Sequence, residues 1–108
     1  MAQKGDITIE TERGEIIDSI DVSIGEFTEV IFNNASEEDL NKTHCLQFID
    51  PYGNTTFNMP QKQTLVSELI SFREKLDFTE VREYLTPIIN FLSKYKDAVH
   101  IYVKFHGD

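Results

Sequence analysis

The chain of 108 residues has one cysteine, three prolines, five scattered glycines and no tryptophan. A lone Cys45 cannot close an internal disulfide or supply the thiolates of a structural zinc site, so neither scaffold is expected. No apolar run approaches the roughly 18–20 residues of a membrane-spanning helix, and the first residues lack the basic-then-apolar pattern of a secretory signal. The expected setting is the cytoplasm, with no membrane association. The tripeptides Asn41-Lys42-Thr43 and Asn54-Thr55-Thr56 are then coincidental matches to the glycosylation pattern. Glycine-rich phosphate loops, serine elbows and metalloprotease helices are missing as well, and no cofactor is expected.

Basic residues are also scarce, with 10 Lys and Arg against 19 Asp and Glu for a formal charge of -9. The imbalance is local. Up to Leu40 the acids are Asp6, Glu10, Glu12, Glu15, Asp18, Asp21, Glu26, Glu29, Glu37, Glu38 and Asp39, opposed only by Lys4 and Arg13; from Asn41 onward acids and bases balance. Such a surface repels nucleic acid and anionic lipid and favours a basic protein partner, unless the charge serves only to keep a small domain in solution.

What is present is enough apolar residue for one core, which makes residues 1–108 a single α+β domain. Ile7 and Ile9 alternate with polar residues, Glu12-Arg13-Gly14-Glu15 breaks the pattern, and Ile16, Ile20, Val22 and Ile24 resume it. This predicts a β-hairpin turning at Gly14. In Gly25–Phe32 the spacing of Phe27, Val30 and Ile31 fits a helical face while Val30-Ile31-Phe32 would suit a strand; a short helix is the expectation. Residues 33–43 read as an exposed loop.

Asp50-Pro51-Tyr52-Gly53 has the residue preferences of a type I turn followed by a left-handed glycine, which predicts a second hairpin pairing Cys45–Ile49 with Asn54–Phe57. Asn58 or Thr64 is placed to cap a helix with its apolar stripe at Leu65, Leu69, Phe72 and Leu76. Asp77-Phe78-Thr79-Glu80 fits a capping box for a further helix through Val81, Leu85, Ile88, Leu92 and Tyr95, kinked near Glu83–Pro87 by the missing amide donor. Val99, Ile101, Val103 and Phe105 form one face of a closing strand, with His100, Tyr102, Lys104 and His106 on the other. The order ββ(α)ββααβ predicts two layers, an antiparallel sheet of four to five strands with helices packed on one face.

The stretch "FIDPYGNTTFN" at Phe48–Asn58, followed by helical sequence and a terminal "YVKFHGD" at Tyr102–Asp108, resembles a group of small bacterial proteins with no established activity. They share an Asp-x-Tyr-Gly hairpin, a Phe-Asn helix start and a C-terminal Phe-x-Gly-Asp. The likeness spans about half of the chain and leaves out the acidic first forty residues. It implies an accessory-gene product of the kind found in mobile cassettes or acting as a toxin antidote, and it transfers no catalytic or binding residue.

A metal would have to draw on His44, Cys45, His100, His106 and the carboxylates of Asp50 or Asp108, none of which has ligand spacing. On one strand face His100 and His106 would stand about 20 Å apart. Cys45 and His44 are strand neighbours in this reading and point to opposite faces, so they form no nucleophile pair, and no catalytic residue is expected. Binding is the expected function: an acidic antidote or inhibitor that occupies a basic partner through Glu10, Glu12 and Glu15, with Tyr52 as an aromatic contact at the turn. Two alternatives stand beside it. One is a small enzyme or ligand-binding protein with a pocket between sheet and kinked helix, near Asp50 and Pro87. The other is a structural protein that forms homo-oligomers through an unpaired strand edge.

Overall fold

A computed structural model describes residues 6–107; Lys4 and Asp108 lie outside this range. Two strands, β1 (Asp6–Thr11) and β2 (Ile16–Asp21), form the expected hairpin, and Gly14 supplies the positive φ of 84° at its turn. Two helices follow, α1 (Ile24–Asn34) and the short α2 (Glu37–Asn41). A 3-10 turn at Leu46–Phe48 leads to β3 (Asn54–Phe57), then come α3 (Met59–Glu74), α4 (Thr79–Ser93) and β4 (Ile101–His106). The strands make one four-stranded antiparallel sheet in the order β2-β1-β4-β3, with helices against one face, a two-layer α+β fold.

The core lies where alternation and helical periodicity meet. Ile7 and Ile9 on β1, Val103 and Phe105 on β4 and Phe57 on β3 face the helices and are almost fully buried. Phe105 is the aromatic centre, with its ring 5.8 Å from that of Phe27 on α1 and edge-on to Phe57 at 5.7 Å. The ambiguous segment after Gly25 is helical. Ser23 caps α1 by accepting from the amide of Glu26, and Ile24, Phe27, Thr28 and Ile31 then fall on one buried face at helical spacing. Asn58 caps α3 through a reciprocal box with Gln61, and Pro60 in the first turn lacks only an amide that the helix leaves unused.

Several local expectations are corrected. Cys45–Ile49 is not a strand, and β3 pairs with β4 instead. The carboxylate of Glu68 on α3 accepts the backbone amides of His44 (2.6 Å), Cys45 (3.1 Å) and Leu46 (3.0 Å), which takes the donors that a ladder would need. Leu46 and Ile49, three residues apart, are then buried together by the 3-10 turn. Gly53 has no positive φ, so the left-handed turn residue expected there is not what the loop uses.

The loop expected at 33–43 contains α2, capped by Ser36. Asp77 and Glu80 make no capping box. Helix α4 starts behind Phe78 without a side-chain cap, while Arg82 closes the end of α3 by donating to the carbonyls of Arg73 and Leu76. Pro87 lies inside α4, which runs on as one helix to Ser93. Val99 does not join the apolar strand face; it is 60% exposed and precedes His100, whose φ of 60° turns the chain before β4 begins.

Candidate interaction surface

The face of the sheet turned away from the helices carries Thr8 and Glu10 on β1, Tyr102, Lys104 and His106 on β4, and Asn54 and Thr56 on β3. At its centre the Thr8 hydroxyl donates to Glu10 Oε2 at 2.6 Å and lies 2.9 Å from His106 Nε2, a geometry in which the imidazole N–H donates to the threonine oxygen. Glu10 and His106 are 3.5 Å apart, with side chains only 14% and 21% exposed. A hydrolytic relay would need the carboxylate on the far ring nitrogen, to orient a base that faces the hydroxyl. Here carboxylate and hydroxyl meet the same nitrogen, so the cluster joins β1 to β4 and does not activate Thr8.

This geometry separates the acidic residues singled out in the sequence. Glu10 is largely withdrawn into the central cluster. Glu12 is exposed, with its Oε2 2.8 Å from His100 Nδ1, and Glu15 stands free at the hairpin turn. Beside them, at the same end of the sheet, Ile16, Ile17 and Val99 are 60%, 50% and 60% exposed. Their exposure follows from the strand pairing: a bulge in β2 opposite Ile9 and Glu10 disturbs the alternation that would otherwise bury one of the isoleucines. Among the described residues no cation pairs with Glu15 or with Asp21 farther along the β2 edge. Asp18 is different. Tyr95 donates to its Oδ2 at 2.6 Å, the Ser19 amide donates to Oδ1, and Lys94 stands 3.7 Å away; these contacts hold the Asp18 carboxyl below its ordinary value and raise that of Tyr95.

Tyr52 does project. It is 86% exposed at the tip of a turn in which Asp50 accepts the Tyr52 amide at 2.8 Å, the side-chain bond expected of an Asp at that position. The register places this turn at the His106 end of β4 and the Glu12–Glu15 turn at the Ile101 end, so Tyr52 and the acidic hairpin tip lie at opposite ends of the sheet, about 17 Å of strand apart. They form no single patch. Asp50 and Pro87 are both exposed, and neither lines the groove walled by Leu40, Leu46 and Phe72. That groove, about 450 Å³, lies between the end of α1, α2 and the second half of α3.

Sequence reasoning missed two residues with structural consequence. Lys62 on α3 is 1% exposed, and its Nζ donates to the carbonyls of Tyr95 (2.7 Å) and Ala98 (2.8 Å) past the end of α4, where cationic groups suit the helix dipole. Burial pushes its ammonium pKa down. Glu68, which orders the 3-10 turn, is the other. A lysine at an apolar position of the α3 stripe was the one legible sign of the first; nothing local signalled the second. Among the described residues no three His, Cys, Asp or Glu side chains gather as a metal would require, and no helix is long and apolar enough to cross a membrane. No family model, no curated protein and no solved structure matches the chain.

Proposed function

We propose that the chain is a noncatalytic binding protein that occupies a basic protein partner, in the manner of an antidote or inhibitor, and that contact is made at the hairpin end of the sheet. The observation that carries this reading is the composition of that end: exposed Ile16, Ile17 and Val99 bordered by the exposed carboxylates of Glu12 and Glu15. An apolar centre with a charged rim is the anatomy of protein interfaces, and the carboxylates select a basic partner by steering its approach.

Self-association through the β2 edge is less well supported. The bulge at Ile17, the Asp18 carboxylate bonded back to the Ser19 amide, and the like charges of Glu15, Asp18 and Asp21 are devices that discourage edge-to-edge pairing of copies. The test is the association rate of the partner recovered by pull-down, measured across a salt series. Converting Glu12, Glu15 and Asp21 together to lysine is expected to lower the rate by about tenfold or more at low salt and to flatten its salt dependence, while the melting temperature stays within a few degrees because these side chains are exposed. An unchanged rate in a folded variant would remove the hairpin as the contact surface.

A further inference from the structure

The two edges of the sheet are built differently. β3 pairs with β4 alone, and the stretch Cys45–Ile49, which could have covered its other side, is tied to α3 through Glu68. The ladder tells which backbone groups this leaves open. Gly107 donates to the Gly53 carbonyl one step past the Asn54–His106 pair, and antiparallel strands alternate hydrogen-bonded and non-hydrogen-bonded pairs. Thr55 and Phe57 therefore turn their amides and carbonyls toward β4, while Asn54 and Thr56 turn theirs outward. The next outward amide, that of Asn58, is closed by Gln61 Oε1. Among the described residues nothing pairs with the outward amides and carbonyls of Asn54 and Thr56.

The devices that guard the β2 edge are missing here. Asn54-Thr55-Thr56-Phe57 carries no charge and no proline, and its register with β4 runs without a bulge. Its shortness is the one restraint, and that limits how many bonds can form.

From these two outward-facing residues we infer that β3 binds the β3 of a second copy of this chain, antiparallel about a two-fold axis at Thr55, which joins two four-stranded sheets into one of eight. Asn54 of each copy then meets Thr56 of the other, so that four hydrogen bonds satisfy every outward amide and carbonyl of these residues. Their exposed side chains, uncharged and able to hydrogen-bond, stand opposite each other on the outer face. Tyr52, 86% exposed two residues before Asn54, meets the copy's Asn58–Pro60 where α3 begins. The axis repeats each of these contacts, which a foreign strand would not do. Net acidity does not oppose the joint. The acidic β2 edge lies three strand spacings from β3, about 14 Å, which exceeds the ~8–10 Å over which ions screen exposed charge.

An edge of four residues gives a weak, reversible dimer, so sedimentation equilibrium of the whole chain from about 10 μM to about 1 mM is the test, with amide shifts followed over the same range. The parent is expected to pass from monomer to dimer, with concentration-dependent shifts centred on 52–58. Two variants, both at exposed positions and both expected to fold, separate the joint from a general effect of mutation. Asn54→Glu, Thr56→Glu sets like charges across the axis twice and is expected to weaken association about tenfold or more, whereas Asn54→Lys, Thr56→Glu leaves the formal charge unchanged, sets opposite charges across the axis and is expected to tighten it several-fold. A parent that stays monomeric, equal association of the two variants, or shifts centred on Ile16–Asp21 would overturn the assignment. The hairpin reading stands or falls separately, since none of its residues lies on this edge.

Discussion

At the residue scale, two side chains make opposite statements about polar satisfaction. Lys62 is almost wholly buried yet its ammonium reaches two carbonyls, whereas the buried Tyr84 hydroxyl has no hydrogen-bond partner among the described residues. An orphaned buried hydroxyl weakens the fold, so Tyr84→Phe is expected to melt at the same temperature as the parent or a few degrees higher. Burial, with a smaller push from Glu26, raises the Tyr84 pKa to about 12. A folded value above the unfolded one of about 10 means that the stability linked to the protonated phenol is complete below pH ~10 and is lost as pH rises toward 12. Urea denaturation across that interval should show the parent losing stability faster than the Phe variant, with part of the slope kept by Tyr95, whose pKa is also raised.

Glycine at 107 has a different role. Its amide donates to the Gly53 carbonyl at 2.7 Å, and a Cβ there would collide with the Gly53 backbone and the Pro51 carbonyl. Gly107→Ala should cost about 1–3 kcal/mol, as overpacking against backbone does. At Gly53 the nearest obstacle is the Asp50 carboxylate at 2.7 Å, which can swing aside, so Gly53→Ala should cost less. Thermal melts that ranked the two in the reverse order would count against this contact.

Elements were legible where one periodicity ran long enough to be unambiguous. The β1–β2 hairpin, the apolar stripes of α3 and α4, and β4 could be read because alternation or the 3-4 spacing persisted in each. The segment from Cys45 to Ile49 could not, because five residues with apolar side chains at Cys45, Leu46, Phe48 and Ile49 fit a strand and a 3-10 turn equally well. The arbiter is Glu68, more than twenty residues away. For the same reason the sequence offers β3 an adjacent strand as its partner, while the structure pairs Asn54–Phe57 with the far end of the chain. The candidate surface was half legible. Charge located the hairpin, but which carboxylates stay exposed depends on the Thr8–Glu10–His106 cluster, and the groove depends on three helices meeting.

A prediction at this scale concerns β4. It is an inner strand holding Val103 and Phe105 and flanked by β1 and β3, so deletion of residues 99–108 removes pairing on both sides and leaves two bare edges. The shortened chain is expected to show no cooperative thermal transition by circular dichroism. A sigmoidal melt from it would show that β4 is dispensable.

At the scale of the whole molecule, the proposal for the hairpin has to be separated from the effect of net charge. Each acid-to-lysine replacement adds two positive charges, so the triple reversal moves the formal charge from -9 to -3. Reversing Glu74, Asp77 and Glu83, which are exposed on the helical side, produces the same total. If the hairpin is the contact, the first set slows association with the basic partner several-fold more than the second at equal ionic strength, because screening over about 8–10 Å makes steering local. Equal slowing by the two sets would assign the effect to total charge alone.

The strand order β2-β1-β4-β3 also has a consequence in time. The β1–β2 hairpin forms from neighbours, but a two-stranded ribbon is marginal alone, and β3 has no partner until β4 arrives. Contacts such as that between Thr8 and His106, 98 residues apart, must close nearly the whole chain before the sheet has a centre. Folding dominated by such distant pairings is slow. Until closure the inner edge of β1 lies open, so the guards along β2 protect the finished sheet, while the interval before β4 docks is when this chain is most exposed to the wrong partner.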